Sequence, residues 1–257
     1  MRFDLHCHIK GGSIDSRISL EHYIELLQGF GYNGMMITDH DTYRACKHWD
    51  KIKENPVYKN FTVIKGIEYD TKDAGHFIVI MPNDIALHIL TIRGMKLKRL
   101  IRIVHHYGGI LGPAHPYGVR SSSAMLFKYL SKTPNLIREF DFIETFNTCE
   151  SPISNILAKK MASKYGKTGI GGTDAHSEQY VGMGYTDIDA TINTNNDMIQ
   201  AIQDHRIVDA SGTERIQTAR SKMKDSKMGI ISFHIYNKGL GKILSPYRSI
   251  RLKLLAR

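Results

Sequence analysis

Asp4-Leu5-His6-Cys7-His8 places two imidazoles two residues apart near the start of the chain. Side chains alternate between faces along a strand, so Asp4, His6 and His8 are expected on one face and Leu5 and Cys7 on the other. Two rings so placed can reach one ion without bending the backbone. A carboxylate behind them can orient a ring by accepting its second N–H. The same spacing returns in Asp174-Ala175-His176, and His40, Glu68, His76 and His115 lie between the two motifs. Asp15, in the loop after the first motif, is a ninth candidate ligand. Nitrogen and carboxylate donors without thiolates suit Zn, Mn or Fe. The set exceeds what one ion needs, which points to two or three divalent ions sharing a carboxylate. Such ions turn a bridging water into a hydroxide nucleophile near neutral pH and neutralise phosphoryl oxygens as charge shifts. In-line hydrolysis of a phosphate ester then needs no serine or cysteine nucleophile, and Cys7 reads as a small buried hydrophobe. Glu68, Asp174 and His176 are the candidate catalytic residues. His22, His48, His88, His105, His106, His205 and His234 are read as structural.

These residues must be delivered by elements. Strands are expected over 3–8, 35–38, 62–64, 76–81, 110–111, 142–145 and 168–171, with nearly every acidic or histidine cluster at a strand's C-terminal end. Leu20, Tyr23, Ile24 and Leu27 have helical spacing, closed by Gly29 and Gly31. A further helix is expected over about 96–107. Ser151-Pro152 reads as an N-cap and first helical residue of a helix ending at Gly166. Alternating strands and helices favour an α/β architecture with a parallel sheet. Convergence of six or seven strand ends on one place favours a barrel over an open doubly wound sheet.

Composition limits the alternatives. The 257 residues suit one large domain, or one domain with an appendage. No secretory segment and no apolar run of membrane-spanning length stands out. Cys7, Cys46 and Cys149 are scattered, which suggests neither a disulfide framework nor a thiolate zinc site, and fits a reducing cytoplasm. From Glu214 to Arg257 eleven Lys/Arg face two acids, so this segment carries +9 of the chain's +10. The expected organisation is therefore a catalytic body over 1–213 and a basic C-terminal segment over 214–257. Pro246 is expected to interrupt any single helix in that segment. Packing on the body or on a partner is the expectation for it.

The motifs DLHCH at 4–8, ITDHD at 37–41, GIE at 66–68 with GHFIVI at 75–80, PAHP at 113–116 and GGTDAHS at 171–177 resemble the PHP (polymerase and histidinol phosphatase) family. HHYGGILGPAHP, IETFN at 143–147 and VGMGYTDI at 181–188 also match its pattern, so the resemblance spans roughly 1–211 in collinear order. It implies a distorted (β/α)7 barrel with a di- or trinuclear centre. It further implies that His6, His8 and Asp174 hold one ion, that Glu68 bridges two, that His76 and His115 complete the second, and that His40 and His176 hold a third. Asp15 matches the family's ligand in the loop after the first motif.

Phosphate recognition needs cations beyond the metals. Lys10, Arg44 and Arg120 each closely follow a metal motif, and Arg120 is preferred because a guanidinium grips a terminal phosphate in bidentate fashion. The leading expectation is a phosphoesterase acting on a small phosphorylated metabolite, a nucleotide or a sugar or amino-alcohol phosphate. Processing of nucleic-acid ends is the alternative, since a basic segment can bind a phosphate backbone. Hydrolysis of a non-phosphate bond by an amidohydrolase-type centre and a catalytically dead regulatory domain are further readings. The near-complete ligand set argues against the last.

Overall fold

The computed structural model describes residues 1–83, 85–119, 121–215 and 240–256. Its strands are β1 (Arg2–Cys7), β2 (Gly34–Ile37), β3 (Thr62–Thr71), β4 (Gly75–Ile80), β5 (Ile110–Pro113), β6 (Phe142–Asn147), β7 (Thr168–Gly172), β8 (Gly184–Ile188) and β9 (Ile207–Gly212). Seven of them form one curled sheet in the order β5-β4-β3-β2-β1-β8-β9, and β6 and β7 form a separate parallel pair. That pair lies against β5 on one side and against β1 and β9 on the other, so it spans the gap between the sheet's ends.

Within the seven-stranded sheet only β1, β2 and β3 repeat the expected parallel pattern. β4 and β5 are added antiparallel beyond β3, and β8 and β9 are added antiparallel beyond β1. The sheet is thus mixed rather than parallel. At β3–β4 the cause is local, because a short turn through Lys72–Ala74 can join only antiparallel neighbours. His76 stands at the start of β4, as the strand expected over 76–81 has it. Antiparallel pairing sets it opposite Asp70, at the same end of the sheet as the C-terminus of β3.

The helices are α1 (Leu20–Gly29), α2 (Arg44–Ile52), α3 (Leu97–His106), α4 (Lys128–Lys132), α5 (Pro152–Tyr165), α6 (Asn195–Gln203) and α7 (Leu240–Leu255). Ser19 caps α1 and buries Leu20, Tyr23, Ile24 and Leu27 on one face, as the spacing predicts. Ser151 caps α5, Pro152 opens it, and Gly166 ends it in the left-handed region at φ 62°. α7 runs through Pro246 instead of stopping there. Proline's fixed φ is helical, so the chain loses a backbone bond without having to leave the helix.

Apolar packing occupies both sides of the sheet. Phe3, Leu5, Met36, Ile78, Phe142 and Ile170 fill the inner side, joined by Met198 and Ile202 of α6. Tyr23, Ile37, Trp49, Leu100 and Leu157 belong to the outer cluster, where the helices cover the sheet. A fully buried leucine or phenylalanine is worth roughly 1.5–3 kcal/mol. The polar side chains described next are therefore collected at the rim of a well-packed interior. Among the described residues no helix is long and apolar enough to cross a membrane.

Candidate metal centre

One strand breaks its own alternation to build the site. The register between β1 and β2 shifts between Asp4 and Cys7, so 4, 6 and 8 do not share one environment. Asp4 accepts from the Tyr23 hydroxyl at 2.9 Å and from the Thr173 amide and hydroxyl at 2.9 and 2.6 Å. His6 and His8 instead bring their Nε2 atoms within 3.1 Å of each other. The expectation that Asp4 orients a histidine ring is thereby corrected. That role falls to Glu144, whose Oε1 lies 2.8 Å from His6 Nδ1. Cys7 is fully buried with its thiol against the Asp4 carbonyl, away from the cluster.

The structure brings all nine sequence-predicted ligands together. Glu68, inside β3, is the hub. Its Oε1 lies 3.0 Å from His76 Nδ1 and 2.9 Å from His115 Nε2. Its Oε2 lies 2.9 Å from His40 Nδ1, 3.4 Å from His8 Nε2 and 3.6 Å from His6 Nε2. Asp174, after β7, sets Oδ1 3.1 Å from His8 Nε2 and 3.6 Å from His176 Nδ1. Asp15 Oδ2 lies 3.2 Å from His176 Nε2. His6 and His8 are fully buried, whereas the His176 side chain is 31% exposed and marks the mouth. Gly172 lets β7 approach this closely, since a Cβ there would fall 2.4 Å from the His6 amide nitrogen. His115 and Asp174 hold left-handed backbones at φ 30° and 52°, as does Asp41 at 50°.

Charge explains what such a cluster needs. Burial pulls the His6 imidazole down, but Glu144, Asp174 and Glu68 raise it well above its ordinary value. Burial also opposes charge on His40 and His115, yet the Glu68 carboxylate lifts them to about 10 and about 9. Burial drives His8 down to about 3, helped by the neighbouring His176 and His40. Burial disfavours charge on Glu68 and Asp174, but the surrounding imidazoles hold both carboxyls well below their usual range. The carboxylates thus favour positive charge among them, and bound cations would answer the same need.

The residues fit divalent ions. His6–His8–Glu68, His40–Glu68–His76 and His8–His40–His176 each offer three donor atoms within 4.8 Å of one another. His76 Nε2 and Asp15 Oδ1 are buried without a hydrogen-bond partner, and a buried polar atom of this kind calls for a partner. The rings also have outer supports, with Ser13 Oγ 2.9 Å from His8 Nδ1 and Ser123 Oγ 3.2 Å from His115 Nδ1. Glu144 is the functional residue that sequence reasoning missed. Its signal was a carboxylate inside the apolar run Phe142–Phe146, since a charge in a buried strand must be paired.

The candidate cations are distributed differently. Arg44 is exposed and borders an open groove of about 650 Å³ that also touches His40, Asp41, Lys47 and Arg93. Lys10 borders a neighbouring groove with Ser19, Glu21 and His48 that includes no member of the cluster. Arg120 lies outside the described residues, as does His234. The histidines read as structural stay out of the cluster: His22 and His48 pair with surface glutamates, His105 with Asp141, and His205 with the Thr168 hydroxyl. His88 lies against Thr91 at the edge of the Arg44 groove, and His106 packs on Tyr107.

The chain thus gathers histidines and carboxylates at one rim of a curled α/β sheet. The PHP-associated family profile matches residues 152–207, which carry Asp174 and His176. The fold is similar to that of PsfC from Pseudomonas syringae, with 14% identity, a TM-score of 0.58, and 99% of this chain and 98% of that chain covered. It is similar to endonuclease Q, solved with a 27-mer duplex substrate bearing an abasic lesion, at 16% identity and a TM-score of 0.55 over 79% of this chain and 56% of that one. It also resembles a proposed metal-dependent phosphoesterase from Bifidobacterium adolescentis, at 13% identity and a TM-score of 0.55 over 77% and 94%. No curated protein matches the sequence.

Proposed function

We propose that the protein is a metal-dependent phosphoesterase that hydrolyses a phosphate ester of a small metabolite, such as a nucleotide or a sugar or amino-alcohol phosphate. The observation that carries this reading is the fully buried Glu68 carboxylate, set among five imidazoles at 2.9–3.6 Å. On this reading His6, His8 and Asp174 hold one ion, His76 and His115 a second, and His40, His176 and Asp15 a third, with Glu68 shared. The ions are Zn, Mn or Fe by donor chemistry. When bound they supply an activated water and neutralise phosphoryl charge.

The chain's own residues do the rest. Glu144, Ser13 and Ser123 fix the rings. The burial of His6 and His8 keeps bulk water from the inner side of the centre. His176, at the mouth against Asp15, is the imidazole best placed to meet a substrate. Arg44, beside His40, supports binding of the phosphate's remaining oxygens. The curled sheet with its β6–β7 pair is read as the distorted barrel of the PHP type, with residues 214–257 as an extension of it. Three free cysteines suit a reducing compartment.

A nuclease reading is kept because the fold is similar to that of endonuclease Q and the C-terminal segment is basic. The test is a phosphate-release screen of mononucleotides, nucleoside bisphosphates, sugar phosphates and short oligonucleotides with each metal in turn. Release from a small ester supports the main reading. Cleavage confined to oligonucleotides overturns it in favour of the nuclease, and no phosphoester cleavage with any metal rejects both.

A further inference from the structure

We propose that Arg248, in the C-terminal helix, is a positioning residue for His76 and His115, acting through the Ser121–Ser123 segment. This rests on the reading of those two histidines as metal ligands. The Arg248 guanidinium donates to the Ser121 carbonyl at 2.8 Å. The next carbonyl, of Ser122, accepts the His76 amide at 2.8 Å. The next residue, Ser123, sets its hydroxyl 3.2 Å from His115 Nδ1. The Ser121 hydroxyl in turn donates to Glu150 Oε1 at 3.1 Å. Consecutive residues therefore tie the C-terminal helix to one ligand's backbone and to another ligand's ring.

The tie has little slack. Gly75 precedes His76 at φ 77°, and a Cβ there would fall 2.2 Å from the Ser122 carbonyl oxygen. Arg248 is only 6% exposed, and among the described residues no carboxylate pairs with it. An arginine buried without a counter-charge is unfavourable by itself, so its presence points to the carbonyl it holds. α7 also lies against α5 and the 124–126 turn, with Leu252 buried in the outer core. Outer partners of a ligating histidine set its tautomer and direction, and losing one typically weakens metal binding about 10–100-fold.

The test uses the full chain. Metal-free wild type, Arg248→Met, Arg248→Lys, Ser123→Ala and the Met/Ala double variant are titrated with Zn or Mn against a competing chelator, and each is melted without metal. The expected result is a Kd for the weakest-bound ion raised about 10-fold or more in Arg248→Met. Its metal-free melting temperature should be no lower than that of wild type, because methionine removes a buried charge. Arg248→Lys, which keeps a donor, should restore part of the affinity. The double variant should lose less than the product of the two single losses, as coupled sites do. Unchanged affinity in a folded Arg248→Met, or losses that multiply, overturns the proposal. If the methionine variant does not fold, Arg248→Gln replaces it in the same comparison. A wild type that binds fewer than two ions refutes the metal-centre reading itself, whatever the variants do.

Discussion

Glu144 Oε1 lies 2.8 Å from His6 Nδ1, and its other oxygen accepts the backbone amide of His115. One carboxylate on β6 thus ties β1 to the turn after β5, and the Asn147 amide steadies it from 3.2 Å. Glu144→Gln keeps the shape but removes the charge that favours a proton on His6 Nδ1. The expected outcome is a metal affinity weakened about 10–100-fold with the fold retained, measured by chelator competition and circular dichroism. Unaltered affinity would show that the His6 ring is oriented by packing alone.

Glu68→Ala should do more than any outer change. Removing the shared carboxylate leaves the imidazoles of His40, His76 and His115 without the one group that all three contact. Elemental analysis should find more than one ion lost per chain, and turnover should fall by more than the roughly 100-fold ceiling of an outer-partner loss. Near-native activity and metal content would refute the shared role.

Glu150 gives a pH signature. It is buried beside Ser121, and burial pushes its carboxyl up to about 7, a shift that the charge of His115 opposes. A carboxyl raised above its unfolded value of about 4.5 binds its proton more tightly in the folded protein. Its stabilising contribution is whole below pH 4.5 and is lost as pH rises through 7. Glu150→Gln should therefore gain stability over wild type progressively between pH 5 and 8, by on the order of 3 kcal/mol at the upper end. Chemical denaturation of the metal-free proteins at several pH values checks this, and parallel stability curves would contradict it.

The basic segment separates the two functional readings. Truncating it would remove Arg248, so neutralising Lys222, Lys224 and Lys227 to glutamine is the cleaner change. For a small phosphate ester KM should stay within about 2-fold of wild type, with weak salt dependence. For a nucleic acid, KM should rise steeply with salt, and the slope should shrink by about one for each phosphate that a lysine no longer neutralises. A steep slope that the triple variant flattens would favour the nuclease.

Much of the centre was legible because its residues sit where a chain can deliver them. His6, His8, His40, His115, Asp174 and His176 end or follow apolar runs, and strand ends converge in a curled sheet. What the sequence hid has physical causes. Alternation assigned Asp4 to the face of His6, but a register shift is a pairing property that one strand's pattern cannot carry. His76 opens its strand, and only the partner's direction tells that this end of β4 meets the rim. Glu144 passed as part of a strand because its partners, His6 and His115, come from distant segments. Pro246 suggested a break that the helix absorbs.

His115 and Asp174 keep their left-handed backbones although each carries a Cβ. That conformation costs an ordinary residue about 1–2 kcal/mol. The folded chain therefore bears a standing conformational load at two of the positions that assemble the centre. A library of variants screened only for heat resistance would drift at 115 and 174 toward glycine or asparagine, the residues for which that load is lightest. A library screened for metal retention would keep His115 and Asp174 and accept a lower melting temperature.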